Sequence, residues 1–505
     1  VALLACALAM SVPSAPAAEP APAGQMTWAV HFTLAPRWLD PGENEGTITP
    51  FMIFYAVHDA LVKPMPAGPT TGSLAESWTL SQDGLVYDFI LRGDARFHDG
   101  SPVTAEDVKF SFERYRGAFR ELFKEKVSEV RAVDPRRVQF RLKEAWPDFL
   151  TFYGTTATSA GWVVPKKYVE KVGEEGFKKA PIGAGPYRVV SVNPGVEIVF
   201  EAFEGYWRKT PRVKRLVLRS LPDETTRAAA LKRGDVDIAY FLTGPVAEEV
   251  RRTPGLKLMA VRSNAIFFLD FRDQWDAASP WRDARVRRAA SLAVDRVTLN
   301  QAEQLGYAGL TGNVVPRGME FALPIEPDPF DPARARQLLA DAGFPRGFDG
   351  GDFTIAPPYE GAGEAIAANL AAVGIRTKIR TMERAAFFTA WREGKLKGVV
   401  FGGLGPAGNA ASRISILAVN GAPYAAGVLP EVQDLFHRQA RERDPRRREE
   451  LLHQIQRLLH ERAIFAPIWE NGFIRGVGPR VEEPALSLIP YFPYSAPYEE
   501  LRLKP

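Results

Sequence analysis

Apolar and polar residues alternate with a period of two between residues 77 and 91 of the chain. Trp78 and Leu80 share one face before Gly84, and Phe89 lies on the apolar face that follows it. Glycine tolerates the positive φ of a tight turn, so this pattern predicts a β-hairpin. A second hairpin is predicted over residues 189–200.

Other segments carry the signals of helices and buried strands. Thr104 followed by Asp107 predicts a capping box, while Asp223 and Gly234 predict the start and the end of a further helix. Further helices are predicted at 333–342, 363–373 and 446–462, and strands at 236–241, 375–380 and 398–401. The alternation of the two element types from residue 183 to residue 470 indicates α/β domains.

Length and composition indicate a globular protein of several domains. A chain of 505 residues is too long for one hydrophobic core, so two or three domains are expected. Hydrophobic residues make up 46% of the chain and charged residues 25%, which excludes general disorder. The net charge of +4 is too small to suggest a nucleic-acid partner.

The first residues are typical of an export signal. An apolar run over residues 1–10 precedes the small residues Ala15 and Ala17, so residues 1–18 are predicted to be a signal peptide and residues 19–27 a flexible leader. Cys6 lies inside the apolar run, which continues beyond it, so a signal core is favoured over a lipoprotein anchor. We therefore expect an exported protein.

The sequence lacks the constellation of an enzyme. The six histidines form no short metal motif, and His453 and His460 are seven residues apart, which is wide for shared metal ligation. Cys6 is the only cysteine, and no Gly-x-Ser-x-Gly elbow occurs. We expect no catalysis, no metal and no cofactor.

One glycine motif invites a dinucleotide interpretation. Gly403, Gly405 and Gly408 fit Gly-x-Gly-x-x-Gly, but Pro406 interrupts the turn and no acidic residue follows before Glu431. A glycine-rich loop whose backbone lies close to a ligand is the better interpretation.

Five segments, in order, resemble the family 5 extracellular solute-binding proteins, the peptide, nickel and related binders of ABC importers. They are Leu74 to Ser111 with its Phe97-His-Asp-Gly100 turn, Gly183-Ala-Gly-Pro-Tyr-Arg188, Thr226 to Ile238, Asp283 to Arg296, and Asp444 to Ile468. The resemblance extends from about Thr27 to the C-terminus.

The resemblance implies an α/β fold with two lobes and a central cleft: a periplasmic binding protein of class II, cluster C type, with an extra domain inserted in lobe 1. Lobe 1 is expected to use residues 28–49, 185–262 and 474–505, the inserted domain residues 50–184, and lobe 2 residues 263–473.

The implied function is capture of a peptide, a peptide-like molecule or a small organic solute by hinge closure. A monomer would then deliver this ligand to an ABC permease in the membrane. Three alternatives stay open: a non-peptide anionic solute, sensing or scaffolding, and a periplasmic hydrolase.

The loop at residues 401–409 departs from the pattern of the family's binding loop. In peptide-binding members an aspartate in this loop pairs with the ligand's α-ammonium, and its position aligns with Ala407; residues 401–409 contain no acidic residue. Arg413 instead offers a guanidinium for a carboxylate or phosphate, or is a surface residue. The residues expected to contact ligand are Asn44, Glu45, Tyr359, Glu360, Phe401, Gly402, Gly403, Asn409 and Arg413. Of these, Tyr359 and Glu360 are expected at the end of a strand of lobe 2.

Overall fold

The computed structural model describes residues 21–44, 49–117, 119–155, 157–405 and 408–505. The predicted signal peptide, with Cys6, lies outside the described residues. In the part of the chain that is described, none of the helices is long and apolar enough to cross a membrane.

Strands and helices alternate along most of the described chain. The strands are β1 (Ala23–Val30), β2 (Asp59–Ala60), β3 (Val62–Met65), β4 (Gly68–Gly72), β5 (Ala75–Leu80), β6 (Val86–Leu91), β7 (Val127–Asp134), β8 (Arg137–Leu142), β9 (Trp162–Val163), β10 (Tyr187–Asn193), β11 (Glu197–Ala202), β12 (Val213–Ser220), β13 (Ile238–Leu242), β14 (Lys257–Phe271), β15 (Gly309–Leu310), β16 (Phe348–Ile355), β17 (Ile375–Thr381), β18 (Val399–Leu404), β19 (Phe465–Val477), β20 (Val481–Glu483) and β21 (Arg502–Leu503). The helices are α1 (Phe51–Val57), α2 (Ala105–Glu113), α3 (Arg120–Lys126), α4 (Phe149–Tyr153), α5 (Lys166–Lys179), α6 (Glu224–Arg233), α7 (Gly244–Arg252), α8 (Ala284–Ala293), α9 (Arg296–Gln304), α10 (Pro332–Asp341), α11 (Glu360–Ala372), α12 (Arg384–Arg392), α13 (Ala410–Leu417), α14 (Pro430–Arg441) and α15 (Pro445–Glu461).

The local sequence signals are confirmed where they depend on neighbouring residues. Strands β5 and β6 form the predicted hairpin, and β10 and β11 form the second one. Thr104 and Asp107 make the capping box of α2. Asp223 accepts a hydrogen bond from the Thr226 amide at the start of α6, and Gly234 ends that helix with a φ of 76°.

Two sequence predictions need correction. The flexible leader was predicted to extend to residue 27, but β1 begins at Ala23 and pairs there with Val213 of β12. The partner strand β12 lies far along the chain, so no local pattern predicts that residues 23–27 belong to a strand. Tyr359 and Glu360 were predicted at the end of a strand, but β16 ends at Ile355 and Glu360 is the first residue of α11.

One sheet runs through both halves of the molecule. Its order is β10-β11-β12-β1-β13-β19-β14-β18-β16-β17, with β15 paired to β19 at the side. The two longest strands, β14 and β19, are neighbours in its middle. The first half of β14 lies against the part of β19 that also pairs with β13, and the second half pairs with β18. These two strands therefore connect two sets of strands.

Several hydrophobic cores stabilise these units. Met26, Trp28 and Phe54 belong to a core beside the half of the large sheet that contains β1. A separate sheet, ordered β5-β6-β8-β7, covers another core that contains Phe89 and Phe140. Further buried clusters on the β14–β17 side are distinct from these two. The apolar residues of the described chain are thus divided among several buried clusters.

Candidate functional site

The ladder between β14 and β19 shifts register at two places, and the larger break separates its two halves. Arg262 pairs with Gly472 and Ile266 with Glu470, so residues 263–265 lie outside the regular register. Ser263 accepts a hydrogen bond from the Ala265 amide at 3.2 Å, and its hydroxyl donates to the Asn471 carbonyl at 3.1 Å. Such an irregular segment between two regular ladders makes residues 263–265 a candidate hinge of this sheet.

Aromatic residues form a wall on the β1 side of this hinge. His31 directly follows β1, and its ring lies 4.9 Å from the Phe241 ring and 6.1 Å from the Tyr494 ring, centroid to centroid. Phe473 of β19 continues the group, 5.0 Å from Phe241. Four segments distant in sequence thus supply one surface, which we call the first aromatic wall (His31, Phe241, Phe473 and Tyr494).

A second group of rings lies on the β18 side. Tyr359, just before α11, packs 4.4 Å from Phe267 of β14, and Phe401 of β18 lies 5.6 Å from Phe267. Trp469 of β19 packs 6.2 Å from Phe401. We call these four residues the second aromatic wall (Phe267, Tyr359, Phe401 and Trp469). The predicted residues Tyr359 and Phe401 therefore lie together.

Arg384, the first residue of α12, connects the two walls electrostatically. Burial is the main reason that the pKa of His31 falls to about 3, and the charges of Arg227 and Arg384 lower it further. Burial also raises the pKa of Tyr359 to about 12, against the opposing charge of Arg384. Burial raises the pKa of Tyr494, the neighbouring Tyr359 raises it further, and the charge of Arg384 opposes this rise. One guanidinium thus acts on titratable groups of both walls.

The guanidinium of Arg384 is available to a ligand. Its residue is exposed, and it pairs with no carboxylate among the residues that the structure describes. Its nearest ring is Phe388 on the same helix, at 5.2 Å from the guanidinium carbon. Arg384 is not among the residues predicted from the sequence, and it lies three residues after the end of β17.

Arg413 lies in the interior and not at the surface. Its residue is 1% exposed, and Nη2 donates to the Gly405 carbonyl at 2.7 Å and to the Asn264 carbonyl at 3.2 Å. Within the described chain, Nε and Nη1 have no hydrogen-bond partner. Burial lowers the pKa of Arg413 to about 9. Arg413 therefore ties the end of β18 to the hinge, and the alternative of a surface residue is wrong.

The glycines of β18 accommodate aromatic rings of the chain itself. A Cβ added at Gly402 would stand 2.5 Å from Trp391, and one at Gly403 would stand 2.4 Å from Phe267. The sequence interpretation assigned this close approach to a ligand. In the structure, packing of the second wall and of the buried Trp391 explains both glycines.

Asn409 uses its side chain to connect two parts of the protein. Its Oδ1 caps α13 by accepting from the Ser412 amide at 3.0 Å, while Nδ2 donates to Asp148 Oδ1 at 2.7 Å. Asp148 immediately precedes α4, and its Oδ2 accepts from Arg448 of α15 at 2.6 Å. The structure thus places Asn409 at a contact between segment 50–184 and the β18 side.

The remaining predicted residues divide between described and undescribed parts of the chain. Asn44 is buried and ends the 3₁₀ turn Pro41–Glu43. Glu45 lies outside the described residues, as does Ala407. Glu360 begins α11 beside Tyr359.

Three carboxylates, of Asp40, Glu43 and Glu174, come close enough together to suggest a metal site. These carboxylates already have cationic partners. Arg114 Nη1 and Nη2 donate to the two oxygens of Asp40 at 2.8 and 2.7 Å, Arg114 also binds Glu174, and Lys178 pairs with Glu43 at 3.2 Å. Burial alone would raise the pKa of Asp40, but the Arg114 guanidinium holds it below its usual range. The cluster is an ion-pair network.

Comparison with solved structures supports the architecture. The ABC transporter substrate-binding protein CtaP from Listeria monocytogenes superposes with a TM-score of 0.83 at 21% identity, covering 96% of this chain and 100% of that one. NikA from Brucella suis, solved with Fe(III)-EDTA, superposes with a TM-score of 0.82 at 21% identity and covers 95% and 100%. At this identity the likeness establishes the fold: two α/β lobes of the periplasmic binding protein type.

Sequence comparison establishes the family. Heme-binding protein A of Haemophilus influenzae is 28% identical over 447 residues, which is 81% of this chain and 80% of that protein. The glutathione-binding protein GsiB of Escherichia coli O1:K1 / APEC is 31% identical over 281 residues, covering 54% of this chain and 53% of GsiB. Residues 70–422 match the bacterial extracellular solute-binding proteins, family 5 Middle. The chain belongs to the family 5 extracellular solute-binding proteins, which serve ABC importers.

Proposed function

We propose that this protein captures a carboxylate-bearing organic solute between the two aromatic walls. The observation that carries the proposal is the exposed Arg384 guanidinium, which lies near both walls and pairs with no carboxylate in the described chain. Arginine binds carboxylates through two parallel hydrogen bonds, and aromatic faces bind apolar or planar groups. A solute that combines both features suits the site.

The loop sequence argues against recognition of a free amino group here. Residues 401–409 contain no acidic residue, so this loop supplies no carboxylate for a ligand ammonium. An ammonium buried without a partner is strongly disfavoured. By their names, the two related proteins above bind heme and glutathione. Both compounds carry carboxylates, which agrees with the role proposed for Arg384, but glutathione also carries a free amino group and so does not support the argument from the loop.

The proposed mechanism is closure about the residues 263–265. The proposed closure moves the domains expected from the sequence: lobe 1 with residues 28–49, 185–262 and 474–505, the inserted domain with residues 50–184, and lobe 2 with residues 263–473. A ligand that contacts both walls stabilises the closed form in proportion to its differential affinity for the closed and open forms. Micromolar capture corresponds to about 8 kcal/mol.

The proposed setting is the periplasm, where a monomer without catalytic activity would hand the solute to an ABC permease. Native mass spectrometry of the purified protein would identify a co-purified ligand. We expect a compound that carries at least one carboxylate. Recovery of a cationic or uncharged ligand would contradict the proposal.

Calorimetry with that ligand then tests the role of Arg384. Arg384→Gln is expected to weaken binding roughly tenfold to a hundredfold, because a charge-assisted hydrogen bond contributes about 1.5–3 kcal/mol. Lys395→Gln is the matched control: it removes one exposed positive charge from the turn that follows α12. Equal affinity of the Arg384→Gln variant and the wild type would refute the assignment.

A further inference from the structure

Hydrogen bonds, one of them buried and two part-buried, connect segment 50–184 to lobe 1. Trp207 Nε1 donates to Asp59 Oδ2 at 2.9 Å, and Ser159 donates to the Pro41 carbonyl at 2.7 Å. His98 Nε2 also lies 3.0 Å from the Gly185 carbonyl oxygen. These contacts are spread over the length of the segment. A rotation about the hinge therefore carries this segment with lobe 1 and moves both against lobe 2.

Asp148, in this segment, accepts hydrogen bonds from lobe 2 with both of its carboxylate oxygens. Oδ1 accepts from Asn409 at 2.7 Å and Oδ2 from Arg448 at 2.6 Å. The side chains of Asp148 and Arg448 are only 14% and 4% exposed. Arg448 Nε is also held by Gln439 at 3.0 Å, so the guanidinium is oriented before it meets Asp148. Charge-assisted bonds of this kind, shielded from water, are the strong ones.

The same contact is linked to the ligand wall through the chain. Asn409 is the N-cap of α13 and lies five residues after the end of β18, the strand that carries Phe401. Its Oδ1 is engaged by Ser412, which leaves Nδ2 as the group that reaches Asp148. Opening the cleft would separate Asp148 from Asn409 and Arg448 together. Closing it rebuilds both bonds next to the loop that ends the second wall.

We propose that Asp148 is a positioning residue that latches the closed form, acting through Asn409 and Arg448 without touching the ligand. The inference rests on the proposed hinge closure but does not depend on the identity of the solute. It assigns part of the free energy of closure to a protein–protein contact outside the aromatic walls. The latch gives the protein a measurable closed population before a ligand arrives.

The test measures the open and closed populations of the ligand-free protein directly. Spin labels on Lys214→Cys and Lys378→Cys, both exposed and on strands β12 and β17 of opposite lobes, report the interlobe distance by pulsed electron resonance. Cys6, inside the predicted signal peptide, is replaced by serine so that any chain that retains this segment carries no native thiol. Asp148→Asn is expected to lower the closed-to-open ratio about tenfold, which equals about 1.4 kcal/mol.

Companion variants separate a latch from a purely structural contact. Arg448→Gln alone is expected to give a similar shift, and the Asp148→Asn/Arg448→Gln double variant little more, because the two residues act on one bond. Asp235→Asn is the control: it breaks an exposed ion pair with Arg233 within lobe 1 and should leave the interlobe distances unchanged. Unaltered distances in Asp148→Asn and Arg448→Gln would overturn the inference. A wild type without any closed population, or variants that only lose thermal stability, would overturn it as well.

The two proposals fail separately. If calorimetry rejects Arg384 while the distance shift occurs, the ligand class is wrong and the latch stands. If the variants leave the distances unchanged while Arg384→Gln weakens binding, the latch is wrong and the ligand class stands.

Discussion

Replacement of Gly402 by alanine tests whether the glycines of β18 serve packing or ligand. Gly402 pairs with Phe268, and a Cβ at this position would stand 2.5 Å from Cη2 and 2.9 Å from Cζ2 of Trp391. Trp391 cannot easily retreat, because its side chain is buried and its Nε1 donates to Asp270 Oδ2 at 3.0 Å.

The magnitude follows from the overlap. Two carbon atoms attract best at about 3.5–4.0 Å, so the ring or the strand must shift by about 1 Å. Overpacking of this degree reduces the free energy of unfolding by about 1–3 kcal/mol. Gly405→Ala is the matched control, since nothing lies within 4 Å of its added Cβ. Both substitutions share the stiffening of the unfolded chain, about 0.4–1 kcal/mol, which cancels in the comparison.

Urea denaturation followed by far-UV circular dichroism measures the difference between the two variants. Gly402→Ala should unfold at lower urea than Gly405→Ala. Combining it with Trp391→Phe, which removes the part of the indole that meets the new Cβ, should recover part of the loss relative to Trp391→Phe alone. Equal stability of the two alanine variants, with ligand affinity lost only in Gly402→Ala, would refute the packing argument and restore the ligand interpretation.

Further predictions concern buried charges and histidines. Asp59→Asn should reduce the free energy of unfolding by about 3–5 kcal/mol, because the buried Lys63, 2.9 Å away, loses its ion-pair partner. Asp235→Asn, which breaks an exposed ion pair, should change the free energy of unfolding by at most about 1 kcal/mol. Similar losses in the two variants would contradict the reasoning. Burial lowers the pKa of His58 and of His98 to about 4. The unfolded chain takes up these protons below about pH 6.5 while the folded protein does not, so each histidine should remove about 1.4 kcal/mol per pH unit between pH 6.5 and 4. Urea titrations at pH 7.5 and pH 5 check this, and an unfolding free energy independent of pH would disprove it.

Elements whose signals lie within a few neighbouring residues could be predicted from the sequence. The capping box of α2 needs only Thr104 and Asp107, and the end of α6 needs only a glycine able to adopt a positive φ at Gly234. The leader shows the limit of this reasoning. Ala23 joins a strand because Val213 offers it a backbone partner, and that partner is invisible to local patterns.

Site residues were predictable only in part for the same reason. Tyr359 and Phe401 follow from motif order, and the structure places both in the second wall. Arg384 carried no such motif. His31 and Tyr494 are 463 residues apart in sequence, yet they contact each other in the first wall.

The sequence by itself determined the family, the α/β class and the acid-free loop, because motif order and residue identity are properties of the chain. The tertiary structure alone decided that Arg413 is buried and that Arg384 is available. Both are arginines, and the environment of a guanidinium depends on which distant segments surround it. The contact between Asp148 and Asn409, 261 residues apart, likewise exists only because the fold brings two distant segments together.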